Sequence, residues 1–240
     1  MNADEQTAEK YLKGLGRKNV MYEPDGNVPP DFSLANSIAV EVRRLSEHYF
    51  EGEEPEALEE LAIPLWRNLG QAINDLNNQL TGGTYWVIVE YERPSKESGK
   101  DTIEAIKSTL KDFHRSRRTP PEVEKVNENL SLVIRPSRDV KGEVFRMAAG
   151  MDHDSGGWLV NNYAKNIEYC IEEKSDKIEG RMGGYNEWWL VLVDYIGWGL
   201  LDREEERLQS QISNLGRFDQ VIIIGNQVGE PRLRVSDSTP

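Results

Sequence analysis

Residues 28–45, with the sequence VPPDFSLANSIAVEVRRL, contain two short apolar segments that are close enough to pair as a β-hairpin. A three-residue connection at 35–37 sets apolar positions against apolar positions, whereas a two-residue turn sets acidic residues against apolar ones. Such matching fixes the register of a hairpin, because a slip of one residue turns every side chain to the other face. The predicted pairs are Leu34 with Ile38, Phe32 with Val40, and Asp31 with Glu41.

The last pair brings two carboxylates together. Directly opposite residues lie roughly 4.5–5.5 Å apart between their β-carbons, and two carboxylates that close repel unless one is protonated or a cation lies between them. A hard divalent ion such as Mg²⁺ would remove the repulsion, since it binds one or two carboxylates together with waters and substrate phosphate. The alternative is that Asp31 only begins a strand after Pro29-Pro30 and that Glu41 faces solvent.

Composition narrows the classes of partner. The 240 residues include 29 Lys and Arg against 42 Asp and Glu, for a net charge of −13. This balance argues against broad electrostatic capture of nucleic acid, so any such contact must be local. A single cysteine, Cys170, excludes an intrachain disulfide and suits a reducing compartment. The polar N-terminus lacks a signal-peptide core, and the apolar run 188–201 is too short for a membrane span. We expect a cytoplasmic protein with no membrane partner.

The sequence predicts one domain, 1–240, of mixed α/β structure. Near its C-terminus the apolar strands EWWLVLVDYI and QVIIIG alternate with helices, which predicts parallel crossover units. The segment from about 46 to 150 adds further helices and strands and is interpreted as a large α/β insertion. Residues 229–240, GEPRLRVSDSTP, are predicted to form a loose tail.

An N-terminal helix with acidic residues, followed by a meander carrying PDF and VEVRR, resembles the PD-(D/E)XK nuclease superfamily. The likeness is greater to an uncharacterised group with YEPDGNVPPDF and IAVEVRRL. It covers residues 1–45, extends to the EWWLVLVDYIGWGL segment and leaves the middle third outside. It implies a restriction-endonuclease-like core: a helix, a three-strand meander, then helix, strand, helix and strand around a mixed sheet.

The resemblance also implies site residues. Asp31 and Glu41 would hold Mg²⁺ or Mn²⁺, assisted by Glu5 of the first helix, with Glu9 as the second choice. The superfamily has a lysine two residues after the glutamate, and Arg43 stands there in this chain. A guanidinium stays charged and can stabilise phosphate, but it cannot act as the base that a lysine can become.

A replacement lysine is available on the predicted helix that follows the insertion. Lys174 falls within the apolar stripe of that helix, seven residues after Ile167. Superfamily members move catalytic groups between the hairpin and this helix, so we expect Lys174 to reach Asp31 and Glu41. The alternative is that its amine extends to the helix edge and into solvent.

Other charged residues offer further candidates. Arg44 follows the hairpin, and Arg115, Arg117 and Arg118 form the densest cationic cluster, so these four are predicted to contact nucleic acid. The cluster also ends a helix, where positive charge is favoured by the helix dipole without any ligand. His153, between two aspartates in MDHDSGG, fits a turn better than a metal patch, because adjacent loop residues seldom converge on one ion.

Two functional hypotheses follow. The first is a divalent-metal-dependent nuclease that hydrolyses phosphodiester bonds of nucleic acid, with Asp31, Glu41, Arg43 and Lys174 as catalytic residues. The second is a relative of that fold that has lost catalysis and serves as a binding or regulatory module. The sequence leaves the oligomeric state open, a homodimer being one option.

Overall fold

A computed structural model describes residues 1–16, 19–94, 99–138, 140–156, 159–197, 202–227 and 231–236. Within these residues the chain forms five helices and twelve strands. The helices are α1 (Ala3–Gly14), α2 (Leu58–Asn77), α3 (Gly99–Ser116), α4 (Leu159–Ile178) and α5 (Asp202–Gln211). The strands are β1 (Val20–Tyr22), β2 (Phe32–Leu34), β3 (Ile38–Leu45), β4 (His48–Tyr49), β5 (Glu56–Ala57), β6 (Tyr85–Tyr91), β7 (Glu122–Lys125), β8 (Leu130–Pro136), β9 (Phe145–Asp152), β10 (Glu187–Asp194), β11 (Gln220–Gly225) and β12 (Pro231–Ser236). The predicted mixed α/β class is confirmed.

The chain divides into two compact units. The first comprises residues 1–47 and 157–240, and the second comprises residues 48–156. The insertion predicted at about 46–150 corresponds to this second unit, which has its own sheet and its own apolar core.

The first unit is built on a mixed six-stranded sheet in the order β1-β2-β3-β10-β11-β12. The strands β1, β2 and β3 run antiparallel as a meander, β3, β10 and β11 are parallel, and β12 is antiparallel to β11. The sheet has a core on each face: α1 packs on one side, and α4 lies on the other. Consecutive strand residues point to opposite faces, so Trp188 and Trp189, both 1% exposed, belong to different cores.

The hairpin forms in the predicted register. Leu34 pairs with Ile38 and Phe32 pairs with Val40 across β2 and β3. The connection spans three residues, and two of them, Ala35 and Asn36, adopt left-handed backbone conformations with φ of 49° and 57°. The regular ladder ends at Phe32, one residue after Asp31.

The second unit contains a four-stranded sheet in the order β7-β8-β6-β9, covered by α2 and α3. The further helices and strands predicted for this segment are present. The prediction missed β7 and the two-residue strands β4 and β5, of which β5 lies in an acidic run. Such short strands carry too few residues for a period to be read.

The predicted loose tail is wrong for residues 231–236, which form β12 along the edge of the first sheet. Leu233 and Val235, two residues apart, are buried against β11, so an alternation of buried and exposed positions was present in the sequence. Residues 229–230 and 237–240 of that tail, and 198–201 of the apolar run, lie outside the described residues.

Candidate active site

Glu41 is a fully buried carboxylate in the middle of a central strand. Its exposure is 0%, and β3 is paired on both sides, with β2 and with β10. Ile38, Val40 and Val42 point to the face covered by α1. The alternation of strand side chains therefore turns Glu41 to the opposite face, which α4 covers. A buried carboxylate requires compensating charge or hydrogen bonds.

Asp31 lies beside the start of this hairpin. One of its oxygens, Oδ2, accepts a hydrogen bond of 2.7 Å from the backbone N–H of Val42. Burial raises the pKa of the Asp31 carboxyl above its ordinary value, and the charge of Glu41 raises it further. The ammonium of Lys174 and the bond from Val42 oppose this shift without cancelling it. The charge of Glu41 thus acts on Asp31, although Asp31 lies outside the paired ladder of the hairpin.

Lys174 of α4 contacts both carboxylates. Its Nζ lies 2.6 Å from Oε2 of Glu41 and 3.8 Å from Oδ2 of Asp31. The side chain is 7% exposed, so the amine does not extend into solvent at the helix edge. Ile167, Cys170, Ile171 and Ile178 of the same helix are buried as well. The cation required by two neighbouring carboxylates is thus supplied by the protein itself.

A second lysine, Lys177, was missed by the sequence reasoning. Its Nζ lies 3.5 Å from Oε2 of Glu41, and its side chain is 47% exposed. Burial disfavours its charge, but the negative charges of Glu41 and Asp31 outweigh that effect and raise the pKa of Lys177. Residues three apart on a helix share a face, so the position of Lys174 in the stripe could have indicated Lys177 as well.

The geometry leaves acceptor capacity unused at the two carboxylates. Oε1 of Glu41 is buried, and it has no hydrogen-bond partner in the part of the chain that the structure describes. Both lysines bind the other oxygen, Oε2. Asp31 likewise uses Oδ2 for its protein contacts. Hard oxygen donors of this kind suit Mg²⁺ or Mn²⁺, which are held by few carboxylates and keep several waters.

The structure does not bring Glu5 into this cluster. Its carboxylate accepts hydrogen bonds from the backbone of Asn2, which caps α1, and from the hydroxyl of Tyr22. The second choice, Glu9, pairs with Lys13 at 2.9 Å. Among the described residues, no group of three or more His, Cys, Asp or Glu side chains could hold one metal ion. Asp31 and Glu41 remain the two candidate carboxylate ligands among the described residues.

The two arginines after Glu41 also have other partners. Arg43 lies on the α4 side of the sheet, but its guanidinium binds Glu173 at 2.9 Å rather than Asp31 or Glu41. Arg44 points to the other face, where it is 3.4 Å from Asp4 and stacks on the ring of Tyr195. The structure therefore places Lys174, and not Arg43, against the two carboxylates.

The predicted nucleic-acid-binding cluster belongs to the second unit. Arg115 is 77% exposed and lies 3.8 Å from Asp112, whereas Arg118 is held 2.7 Å from Glu124. Arg117 follows α3 with a left-handed backbone. These arrangements fit the end of a helix at least as well as a phosphate contact.

The MDHDSGG segment has a structural explanation. Arg93 is 1% exposed, and its guanidinium lies 3.1 Å from Asp152 and 3.0 Å from Asp154. Both aspartates are therefore committed to a buried ion-pair network, and the turn predicted around His153 is supported. Cys170 is a free, buried thiol, and burial raises its pKa to about 12, which suits packing and not nucleophilic chemistry.

Comparisons with family models, with curated proteins and with solved structures find no match to this chain. Within the described ranges, none of the helices combines the length and the apolar character that a membrane crossing requires.

Proposed function

We propose that this protein is a divalent-metal-dependent nuclease that hydrolyses phosphodiester bonds of nucleic acid, with Asp31, Glu41 and Lys174 as its active-site residues. One observation carries the proposal: two carboxylates and a lysine amine from distant parts of the chain converge, and Oε1 of the buried Glu41 has no partner among the described residues. A buried acceptor without a partner costs free energy, so its persistence favours a ligand at this position.

The order of elements in the first unit supports the same proposal. A helix, a three-strand meander, a helix, a strand, a helix and a strand follow one another when the insertion is omitted. This is the order that the resemblance to the restriction-endonuclease-like core implies. The two acids lie on the hairpin of the meander, as that resemblance also requires.

Asp31 and Glu41 would hold Mg²⁺ or Mn²⁺ through their unused oxygens. When bound, the ion supplies a Lewis acid for the phosphoryl oxygen and lowers the pKa of a water. Glu41 is held in place for this role, because β2 and β10 flank its strand and its side chain is buried on the side of the sheet that α4 covers. Asp31 must be ionised to bind the ion, and its raised pKa sets the lower pH limit of binding.

Lys174 would orient the attacking water and stabilise the negative charge that develops on the phosphate. Its amine is already beside both carboxylates, so little reorganisation is needed. The more exposed Lys177 adds positive charge at the same carboxylate and helps to attract a phosphate despite the net charge of −13.

A second candidate, a binding or regulatory module without catalysis, is favoured by the balance of charge at the site. Two lysines already lie against the two carboxylates, and Arg43 is engaged by Glu173. A site of this kind is electrostatically compensated without any metal. The two candidates therefore differ in whether a divalent ion binds.

Calorimetric titration with Mn²⁺ and with Mg²⁺ tests the proposal directly. The wild-type chain is expected to bind one ion, and Asp31→Ala is expected to lose at least tenfold in affinity. Asp25→Ala, which changes an acid outside the cluster, serves as the matched control. Metal-dependent cleavage of single- and double-stranded DNA and RNA is then measured for the same variants. A wild-type chain that gives no metal-dependent heat refutes the nuclease proposal and leaves the binding module.

A further inference from the structure

The four-stranded sheet of the second unit has a face that points away from α2 and α3. Val87 of β6 belongs to the core beneath those helices, so its neighbours Trp86 and Ile88 point to the opposite face. Both are half-buried. Across the sheet from Ile88 lie Val133 of β8 and, beyond it, Val123 of β7, which is 64% exposed. This outer face therefore presents apolar and aromatic side chains to solvent.

Trp86 lies between two arginines on the outer face. It pairs with Arg135 of β8 on one side and with Arg146 of β9 on the other, and cross-strand partners share a face. The guanidinium carbon of Arg146 is 4.6 Å from the centroid of the Trp86 ring. Planar guanidinium and indole groups side by side form a surface on which another flat ring can stack.

The charges of both arginines are accessible to a ligand. Arg135 is exposed and forms no ion pair within the described residues. Arg146 lies 2.8 Å from Glu143, and their side chains are 38% and 42% exposed. An ion pair this exposed contributes little to stability, so a phosphate can replace Glu143 as the partner of Arg146.

The connection between β8 and β9 brings more positive charge to the start of β6. Arg138 and Lys141 of this connection are exposed. Thr84, which directly precedes β6 and is 2% exposed, anchors it. The Thr84 hydroxyl donates a hydrogen bond of 2.6 Å to the carbonyl of Glu143 and accepts one of 2.8 Å from the N–H of Val140. Lys141, between these two anchored positions, is thus held near the start of β6.

The charge of this region is opposite to that of the chain. Residues 135–146 contain four Lys and Arg and two acidic residues, a net charge of +2, whereas the whole chain carries −13. The acid of β6 on the outer face, Glu90, is four residues from Trp86, about 13 Å along the strand. A local group of cations attracts an anionic ligand even in a chain of negative net charge.

We propose that the outer face around Trp86 binds single-stranded nucleic acid. Trp86 and the guanidinium of Arg146 would stack on bases, and Arg135, Arg138 and Lys141 would bind phosphates. An aromatic platform bordered by cations is the arrangement that such ligands require. Bases in a duplex stack on one another and are not free to stack on a side chain of a sheet. The surface lies wholly within the second unit and depends neither on a metal nor on the proposed nuclease function.

The test measures fluorescence anisotropy of a labelled single strand of about 12 nucleotides with the full chain. A chelator is present, so metal-dependent cleavage is prevented. Trp86→Leu is expected to weaken binding at least tenfold because base stacking is lost, whereas Trp86→Phe, which keeps an aromatic face, should weaken it less than about threefold.

The cations are tested by a double variant and a matched control. Arg135→Gln/Lys141→Gln is expected to weaken binding at least tenfold. It should also reduce the dependence of log K on log salt by about 1.4, since each phosphate contact contributes about 0.7 for a single strand. Arg67→Gln/Lys100→Gln removes the same charge from exposed positions of α2 and α3 and is expected to bind like wild type.

Three further ligands separate single-stranded nucleic acid from other anions. A duplex of the same length, a strand without bases and an acidic peptide of the same net charge are each expected to bind at least tenfold more weakly. Single strands of DNA and of RNA are compared directly, and the one that binds more tightly is assigned as the ligand.

The proposal is overturned if neither single strand shows saturable binding, or if the duplex or the strand without bases binds equally well. Equal binding of the acidic peptide also overturns it and assigns the outer face to an acidic protein. The same holds if Trp86→Leu or Arg135→Gln/Lys141→Gln, shown to be folded by circular dichroism, binds unchanged. Because no metal is present, these outcomes are independent of the calorimetric test of Asp31.

Discussion

Replacing Lys174 by methionine is expected to destabilise the first unit strongly. The substitution keeps an unbranched side chain of similar length, but it leaves the carboxylate of Glu41, which is 0% exposed, without its partner at 2.6 Å. Removing one partner of a buried ion pair typically costs about 3–5 kcal/mol. Lys177, 3.5 Å away and 47% exposed, supplies partial compensation, so we expect a cost near the lower limit, about 3 kcal/mol.

Hydrogen exchange of amides in β3 and α4 measures this cost within the first unit. A loss of about 3 kcal/mol accelerates the exchange of the slowest amides roughly 100-fold. Lys177→Met is the matched control, and its cost should remain below about 1 kcal/mol because that pair is half exposed. The double variant Glu41→Gln/Lys174→Met should recover most of the loss, since no buried charge is left unpaired. Equal effects of the two single lysine substitutions would refute the reasoning.

Three further outcomes are expected. Lys174→Met should bind Mn²⁺ about tenfold more tightly by calorimetry, because a competing cation is removed. Its rate of nucleic-acid cleavage should nevertheless fall at least 100-fold. An unchanged cleavage rate would exclude Lys174 from catalysis. With chelator present, Asp31→Asn should raise the free energy of unfolding in urea at pH 7. The pKa of Asp31 is raised in the folded state, so the stability of the wild type falls as pH rises from the ordinary pKa through the raised pKa. A variant whose stability matches that of wild type at every pH between 3 and 7 would contradict this. Arg93→Met should lower the free energy of unfolding of the second unit by about 3–5 kcal/mol and accelerate amide hydrogen exchange there, because it leaves Asp152 and Asp154 without their cationic partner. An effect no larger than that of Arg115→Met would contradict this.

The fold and the candidate site could be predicted where apolar residues recur at a fixed spacing or pair across a hairpin. The hairpin register followed from apolar matching, and the burial of Lys174 followed from its place in a helical stripe. The contacts of Glu5, Arg43 and Arg44 could not be predicted, because a long side chain can reach several partners and sequence does not rank them. The carboxylate of Glu5 accepts a hydrogen bond within the cap of its own helix. The guanidinium of Arg43 binds Glu173, which lies 130 residues away in sequence. The edge strand β12 was missed because its charged alternate residues resemble a solvated tail.

The position of the inserted unit has a consequence for folding. Glu41 and Lys174 are 133 residues apart in sequence, and the chain between β3 and α4 includes the whole second unit. Bringing them together closes a long loop, whose entropic cost rises with the length of flexible chain. When the inserted unit is folded, less of that chain is flexible. Its stability can therefore influence, through chain connectivity, how readily the carboxylates and the lysine assemble.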